Sequence, residues 1–234
     1  MSDKLIVALD VPDMAEAEKL VRTLLPAVKI FKVGKELFTS CGPAVVEMIH
    51  ARGAKVFLDL KFHDIPNTVA GACVAATRLK VFMLNVHASG GKNMMTTAQK
   101  AVKDEALRLK IHPPILLGVT VLTSLADDDL KEIGLARSVS QEVEILARLA
   151  DNAGLDGVVA SPKEIALVRK ATKKGFLIVT PGVRPAWAAA DDQKRVMTPR
   201  EAISAGADYL VAGRPITQDP DPLEAAKKIL KEIV

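Results

Sequence analysis

Cysteine, aromatic residues and long apolar runs are all scarce in this 234-residue chain, and each shortage removes a class of protein. Only Cys41 and Cys73 are present, both in predicted helices and without CxxC spacing, which argues against a disulfide framework and a zinc site. A reducing, cytoplasmic setting is the expectation. One Trp, one Tyr and six Phe cannot build an aromatic-basic ladder for nucleic acid. No apolar run approaches the roughly 20 residues of a membrane span. The opening Met1-Ser2-Asp3-Lys4 leads straight into a strand pattern, without the basic and apolar regions of a signal peptide. Neither nucleic acid nor a membrane is expected as a partner. The formal charge of +4 is spread among acidic neighbours along helices, a mild bias toward anionic small molecules.

What is present is a repeat of short apolar runs, at 5–9, 28–33, 55–60, 81–86, 115–119, 157–160, 177–179 and 209–211, each followed by a stretch with helical spacing. Strands apolar on both faces and alternating with helices indicate a parallel sheet covered by the crossovers. Eight such units predict an α/β fold, a single (β/α)8 TIM barrel domain over 1–234. Prolines mark helix starts at Pro12-Asp13, Pro66-Asn67, Ser161-Pro162 and Thr198-Pro199. The rival, a doubly wound sheet, would in its commonest nucleotide-binding form carry GxGxxG after the first strand, where this chain has Ala8-Leu9-Asp10. The stretch 180–197 is too long and polar for a routine connection, which predicts a functional, mobile loop at about 181–197.

Reacting groups in such barrels lie at the carboxyl ends of the strands. Polar residues at those positions are Asp10, Lys32, Asp59 with Lys61, Asn85 with His87, Thr120 with Thr123, Pro181 with Arg184 and Gln193, and Gly213-Arg214. Asp59 and Lys61, two apart on a strand, are expected on one face. Lys32 from the adjacent strand and Asp64 from the following loop would complete an alternating Lys-Asp-Lys-Asp set, which favours the charged form of every member. Taken alone, each is an ordinary ion-pair residue; convergence on one mouth beside an anion site favours function. That anion site is Val211-Ala212-Gly213-Arg214-Pro215, where backbone N–H groups and an arginine can hold phosphate, with Gln193 adding an amide donor. His63 reads as a surface loop residue, while His87 is evenly balanced between site liner and structural histidine.

The run Asp59-Leu60-Lys61-Phe62-His63-Asp64-Ile65-Pro66-Asn67-Thr68 resembles the signature of the orotidine 5′-phosphate decarboxylase family in its bacterial form. Ala8-Leu9-Asp10, Phe31-Lys32-Val33-Gly34, Val119-Thr120-Val121-Leu122-Thr123-Ser124, Thr180-Pro181-Gly182-Val183-Arg184, Asp192 to Pro199 and Gly213-Arg214-Pro215-Ile216-Thr217 reinforce it in family order. The resemblance implies a homodimer of barrels with shared active sites, Asp64 and Thr68 being supplied by the partner subunit. It implies Lys61 as proton donor to C6 of the pyrimidine, held by Asp59 and Asp64. Lys32 and Asp10 would contact the ribose and Thr123 the pyrimidine edge. Gln193, Arg214 and Gly213, with Arg184 nearby, would take the phosphate; Ile65 and Pro181 would also line the substrate. It implies no cofactor and no metal, and uridine 5′-phosphate with carbon dioxide as products.

Two other readings stay open on the residues. Metal-dependent sugar-phosphate decarboxylases and hexulose-phosphate synthases of the same barrel group share the Asp-x-Lys-x-x-Asp pattern and need a further carboxylate near the second strand, for which Glu36 is the local candidate. A non-catalytic barrel binding phosphorylated ligands would have no need of Lys61 in particular.

Overall fold

Leu5–Ala8, Ile30–Val33, Lys55–Phe62, Met83–His87, Ile115–Val119, Gly157–Val159, Leu177–Pro181 and Tyr209–Ala212 form strands β1 to β8. In the computed structural model they pair in sequence order, every neighbour parallel, and β8 returns to β1 to close the barrel. The structure describes residues 4–185, 187 and 197–233. Strand ends differ from the sequence pattern by a residue or two, most notably β3, which runs on to Phe62.

Around the barrel lie α1 (Met14–Leu24), α2 (Lys35–Cys41), α3 (Ala44–His50), α4 (Pro66–Arg78), α5 (Gly91–Leu109), α6 (Asp127–Glu132), α7 (Val139–Asn152), α8 (Ile165–Ala171), α9 (Pro199–Ala205), α10 (Arg214–Thr217) and α11 (Pro222–Glu232). The simple rhythm of one helix per strand is thus broken: α3, α6 and α10 are additional short helices.

Local chemistry explains where these helices begin. The Asp13 carboxylate accepts the N–H of Glu16 at 3.0 Å, so Pro12 sits just outside α1 instead of opening it. Ser138 with Gln141, and Thr198 with Glu201, form reciprocal capping boxes that start α7 and α9. Pro66 and Pro199 occupy first-turn positions, where the missing N–H is no loss. In α1 the buried Ala17, Val21 and Leu24 recur at helical spacing and face the sheet.

Strand alternation sorts the apolar residues into two layers. Leu5, Val7, Phe31, Val33, Val56, Leu58, Leu84 and Leu116 point outward into the core under the helices. Ile6, Ala8, Ile30, Phe57, Met83, Leu117, Val179 and Val211 point inward and fill the barrel. The barrel is a packed plug, and only its carboxyl end is free to hold chemistry. Among the described residues no helix is long and apolar enough to cross a membrane.

Candidate active site

The alternation that packs Ile30, Phe57 and Met83 inside the barrel delivers Lys32, Asp59 and Asn85 two residues later, at its carboxyl rim. The apolar plug therefore ends in a polar layer. Lys32 Nζ lies 3.0 Å from Asp10 Oδ1 and 3.4 Å from Asp59 Oδ2, and Lys61 Nζ lies 2.6 Å from Asp59 Oδ1. The result is a line of alternating charge, Asp10, Lys32, Asp59, Lys61. Asp59 is only 8 % exposed at its centre.

Burial alone would raise the Asp59 carboxyl, but Lys32 and Lys61 beside it, with hydrogen bonds from Lys61 and Asn85, outweigh burial and hold it below its ordinary value. Burial likewise disfavours the Lys32 ammonium, and Asp59 with Asp10 reverses that, leaving it above its ordinary value.

Lys61 reaches Asp59 by a route that plain alternation does not give. The β3–β4 register runs Phe57 with Met83 and Leu58 with Leu84, then resumes at Phe62 with Val86. Between those pairs β3 spends Asp59, Leu60 and Lys61 where β4 spends only Asn85. Lys61 sits at φ 52°, the left-handed region, at a cost of about 1–2 kcal/mol for a residue with a Cβ. The expectation that two residues of separation suffice is corrected accordingly: the pairing is right, and a bulge produces it. Asn85, fully buried, fills the gap by accepting the Lys61 backbone N–H on Oδ1 at 2.8 Å and donating from Nδ2 to Asp59 Oδ1 at 2.7 Å.

Two cavities open beside this array. One, of about 280 Å³, is lined by Lys32, Asp59, Lys61, Thr123 and Ser124 on its polar side, and by Phe57, Val119, Val121, Leu122, Val159, Ala160, Pro181 and Val211 elsewhere. The other, of about 140 Å³, is lined by Asp10, Lys32, Gly182, Arg184, Gly213 and Arg214 among others. They share Lys32, Pro181 and Val211. A ligand occupying both would place an apolar part against the valines and an anionic part against the arginines.

Most of the expected site residues are thus assembled in one chain, but the expected fourth member of the charge array is not. Asp64 is exposed and its Oδ1 accepts the N–H of the adjacent Ile65 at 2.6 Å. Ile65, 67 % exposed, and Thr68, also exposed, line neither cavity. Asp10 takes the place that spacing gave to Asp64. Gln193, with most of the 181–197 loop, lies outside the described residues; the loop's two ends are joined by the Arg184 N–H donating to the Met197 carbonyl at 2.9 Å.

Thr120 serves the barrel wall, its hydroxyl donating to the Val159 carbonyl at 2.9 Å. His63 is exposed, and its ring centroid lies 5.4 Å from that of His87. Partial burial, with His63, Lys61 and Lys35 nearby, pushes His87 down to about 4. Glu36 is exposed on the first turn of α2 and lines neither cavity.

Sequence reasoning named Asn85 as a strand-end polar residue but gave it no task, and it missed the apolar wall of Val119, Val121, Val159 and Ala160. Asn85, Val119 and Val159 follow from inward parity carried past the plug, a signal available once the strand register is known, whereas Val121 and Ala160 lie beyond the strand ends and join the wall only through the loops.

Comparison with known proteins follows the same residues. Residues 3–229 match the family model described as orotidine 5′-phosphate decarboxylase / HUMPS family. The chain is 58% identical over 232 residues to orotidine 5′-phosphate decarboxylase of Moorella thermoacetica, covering 99% of this chain and 92% of that protein. It is 56% identical to the protein of that name from Syntrophotalea carbinolica, covering 98% and 94% respectively. The crystal structure of orotidine 5′-phosphate decarboxylase from Lactobacillus acidophilus superposes with a TM-score of 0.88 at 37% identity, covering 99% of each chain.

Proposed function

Since this chain belongs to the orotidine 5′-phosphate decarboxylase / HUMPS family, we propose that it converts orotidine 5′-phosphate to uridine 5′-phosphate and carbon dioxide, the last step of pyrimidine nucleotide synthesis, with Lys61 protonating C6. The observation that carries this reading is the Lys61 ammonium, 2.6 Å from Asp59 at the wall of the larger cavity, with the arginine-lined cavity adjoining. A nucleotide fits that division. The pyrimidine enters the larger space with its edge toward Thr123, the ribose spans Lys32 and Asp10, and the phosphate meets Gly213, Arg214 and Arg184. Gln193 is assigned to the phosphate on its place in the sequence.

The chemistry explains why a charge array is needed. When the C6–carboxylate bond breaks, the electron pair stays on C6 in the ring plane, where the π system cannot delocalise it. A preorganised ammonium is then the available stabiliser, and Lys61 Nζ gives its proton to that pair and recovers one from solvent. Asp59 holds the ammonium in place, and Lys32 keeps Asp59 ionised. Asp59 also repels the substrate carboxylate: at about 4 Å and an effective dielectric of about 20 this amounts to roughly 4 kcal/mol, an upper limit near three decades of rate. Phosphate binding supplies energy remote from the reacting carbon.

In this reading the protein is one barrel domain, cytoplasmic and free of metal and organic cofactors. Its loop at 181–197 grips the phosphate. The metal-dependent branch needs a further carboxylate at the site, and its local candidate, exposed Glu36, lines neither cavity. The active site is completed in a homodimer, where Asp64, Ile65 and Thr68 serve the partner's cavity. Their exposure, and the fact that none of them lines this chain's own two cavities, support that assignment.

The test is the fall in ultraviolet absorbance when orotidine 5′-phosphate is added with EDTA present. Full turnover is expected, with none from Lys61→Ala. Loss of activity on chelation, or sustained turnover by Lys61→Ala, overturns the reading. Mixing Lys61→Ala with Asp64→Ala chains is expected to restore one working site per heterodimer, and no recovery argues against sharing.

A further inference from the structure

We propose that Asn85 is the positioning residue for Lys61: one buried amide fixes both the backbone and, through Asp59, the ammonium of the proton donor. This rests on the decarboxylase reading above and extends it to a residue that touches no substrate.

Three hydrogen bonds form a closed ring. The Lys61 N–H donates to Asn85 Oδ1 at 2.8 Å, Asn85 Nδ2 donates to Asp59 Oδ1 at 2.7 Å, and Lys61 Nζ donates to that same oxygen at 2.6 Å. The bulge makes the ring necessary. By shifting the β3–β4 register between Leu58 and Phe62, it takes the Lys61 N–H out of the regular strand ladder, and the partner that N–H finds is a side chain of β4. Because Lys61 is held at φ 52°, its backbone has no intrinsic preference for this conformation and depends on its partners.

Few side chains can do this. The position requires an acceptor facing the Lys61 N–H and a donor facing a carboxylate, in a space where Asn85 is fully enclosed. Alanine offers neither. Leucine fills the volume and leaves the N–H unpaired. Glutamine has the right ends on a stem one carbon too long. Aspartate is the informative case. Ionised, it offers Asp59 no proton and sets a second negative charge beside it; protonated, it becomes an Asn mimic, with its carbonyl accepting the N–H and its O–H donating to Asp59. Two carboxylates at this spacing share a proton, so one of them takes it up well above the ordinary carboxylate range.

The other charged or titratable groups near this point are Lys61 and Asp59 of β3, Lys32 of β2, Asp10 after β1, His87 of β4, His63 of the loop after β3 and Lys35 of α2. From β5, Leu117 and Val119 bring none. Asn85 lines neither cavity.

The experiment measures kcat, KM, the pH profile and uridine 5′-phosphate affinity in Asn85→Ala and Asn85→Asp, beside wild type and Lys61→Ala. Misplacing a reacting group by about 1 Å costs roughly a hundredfold in rate. The expected result for Asn85→Ala is therefore a kcat loss of about that size, with KM and product affinity within about threefold. Asn85→Asp is expected to be impaired at pH 8 and to recover on acidification toward pH 5, a recovery absent in Asn85→Ala. Near-normal kcat in Asn85→Ala overturns the proposal. So does an Asn85→Asp profile parallel to wild type, or a loss of product affinity matching the loss of rate in both variants. If wild type itself does not turn over orotidine 5′-phosphate, or Lys61→Ala does, the decarboxylase reading fails instead.

Discussion

Replacing Asp59 by Asn removes one negative charge from the centre of the array while keeping its shape. In the native site Asp59 Oδ1 accepts from Lys61 Nζ at 2.6 Å and Asn85 Nδ2 at 2.7 Å, while Oδ2 faces Lys32 Nζ at 3.4 Å. An amide can keep its oxygen toward the first two donors only by turning its NH2 toward Lys32, donor against donor. At an effective dielectric of about 20 the two lost attractions are about 6 and 5 kcal/mol, most of which is offset by no longer burying a carboxylate. Removing one partner of such a buried network costs about 3–5 kcal/mol in practice. In a chain of this length each kcal/mol moves the melting temperature by about 2–4 °C, so a drop of roughly 6–20 °C is expected by calorimetry at pH 7.5.

The pH dependence adds a check. The Asp59 carboxyl is held below its ordinary 3.8, so its stabilisation is fully present above that value and disappears as pH falls through the lower, folded-state value. The difference between wild type and Asp59→Asn is expected to be constant from pH 8 to 5 and to close only below about pH 4. An unchanged or raised melting temperature over pH 5–8 would refute the reasoning, since the array would then be a net burden on folding.

Other consequences follow from single positions. A Cβ at Gly34 would lie 3.2 Å from Lys32 Nζ and 3.4 Å from Asp10 Oδ1, so Gly34→Ala is expected to displace that pair and raise KM several-fold with little change in melting temperature; an unchanged KM shows that the pair absorbs the methyl. His87 is expected to titrate by NMR near 4, with the fold losing stability as pH falls from about 6.5 toward 4, because over that range the unfolded chain binds the extra proton; a midpoint near 6.5 removes the effect. Burial pushes the Cys73 thiol up to about 12, so in the native protein a thiol reagent is expected to modify Cys41 and spare Cys73 until denaturant is added.

The barrel was legible because its signals are local. Strand period and the helix-start pairs such as Pro66-Asn67 and Thr198-Pro199 act within a few positions, and eight short apolar runs separated by helical stretches leave little choice of topology. Lys32, Asp59, Gly213 and Arg214 were legible for the same reason: each stands in the carboxyl half of a strand or just past it, and in a parallel barrel all such ends share one rim. Tertiary structure alone decided how they meet. The bulge that turns Lys61 toward Asp59 depends on which β4 residue lies opposite, a pairing across 24 residues of chain that no local period encodes. The same pairing turned Asn85 from an unassigned strand-end polar residue into the clip of that bulge. Asp64 failed to join the array within one chain because its carboxylate is held by the neighbouring N–H on an exposed loop. A local hydrogen bond of that kind competes with a distant ion pair, and spacing in the sequence does not reveal which prevails.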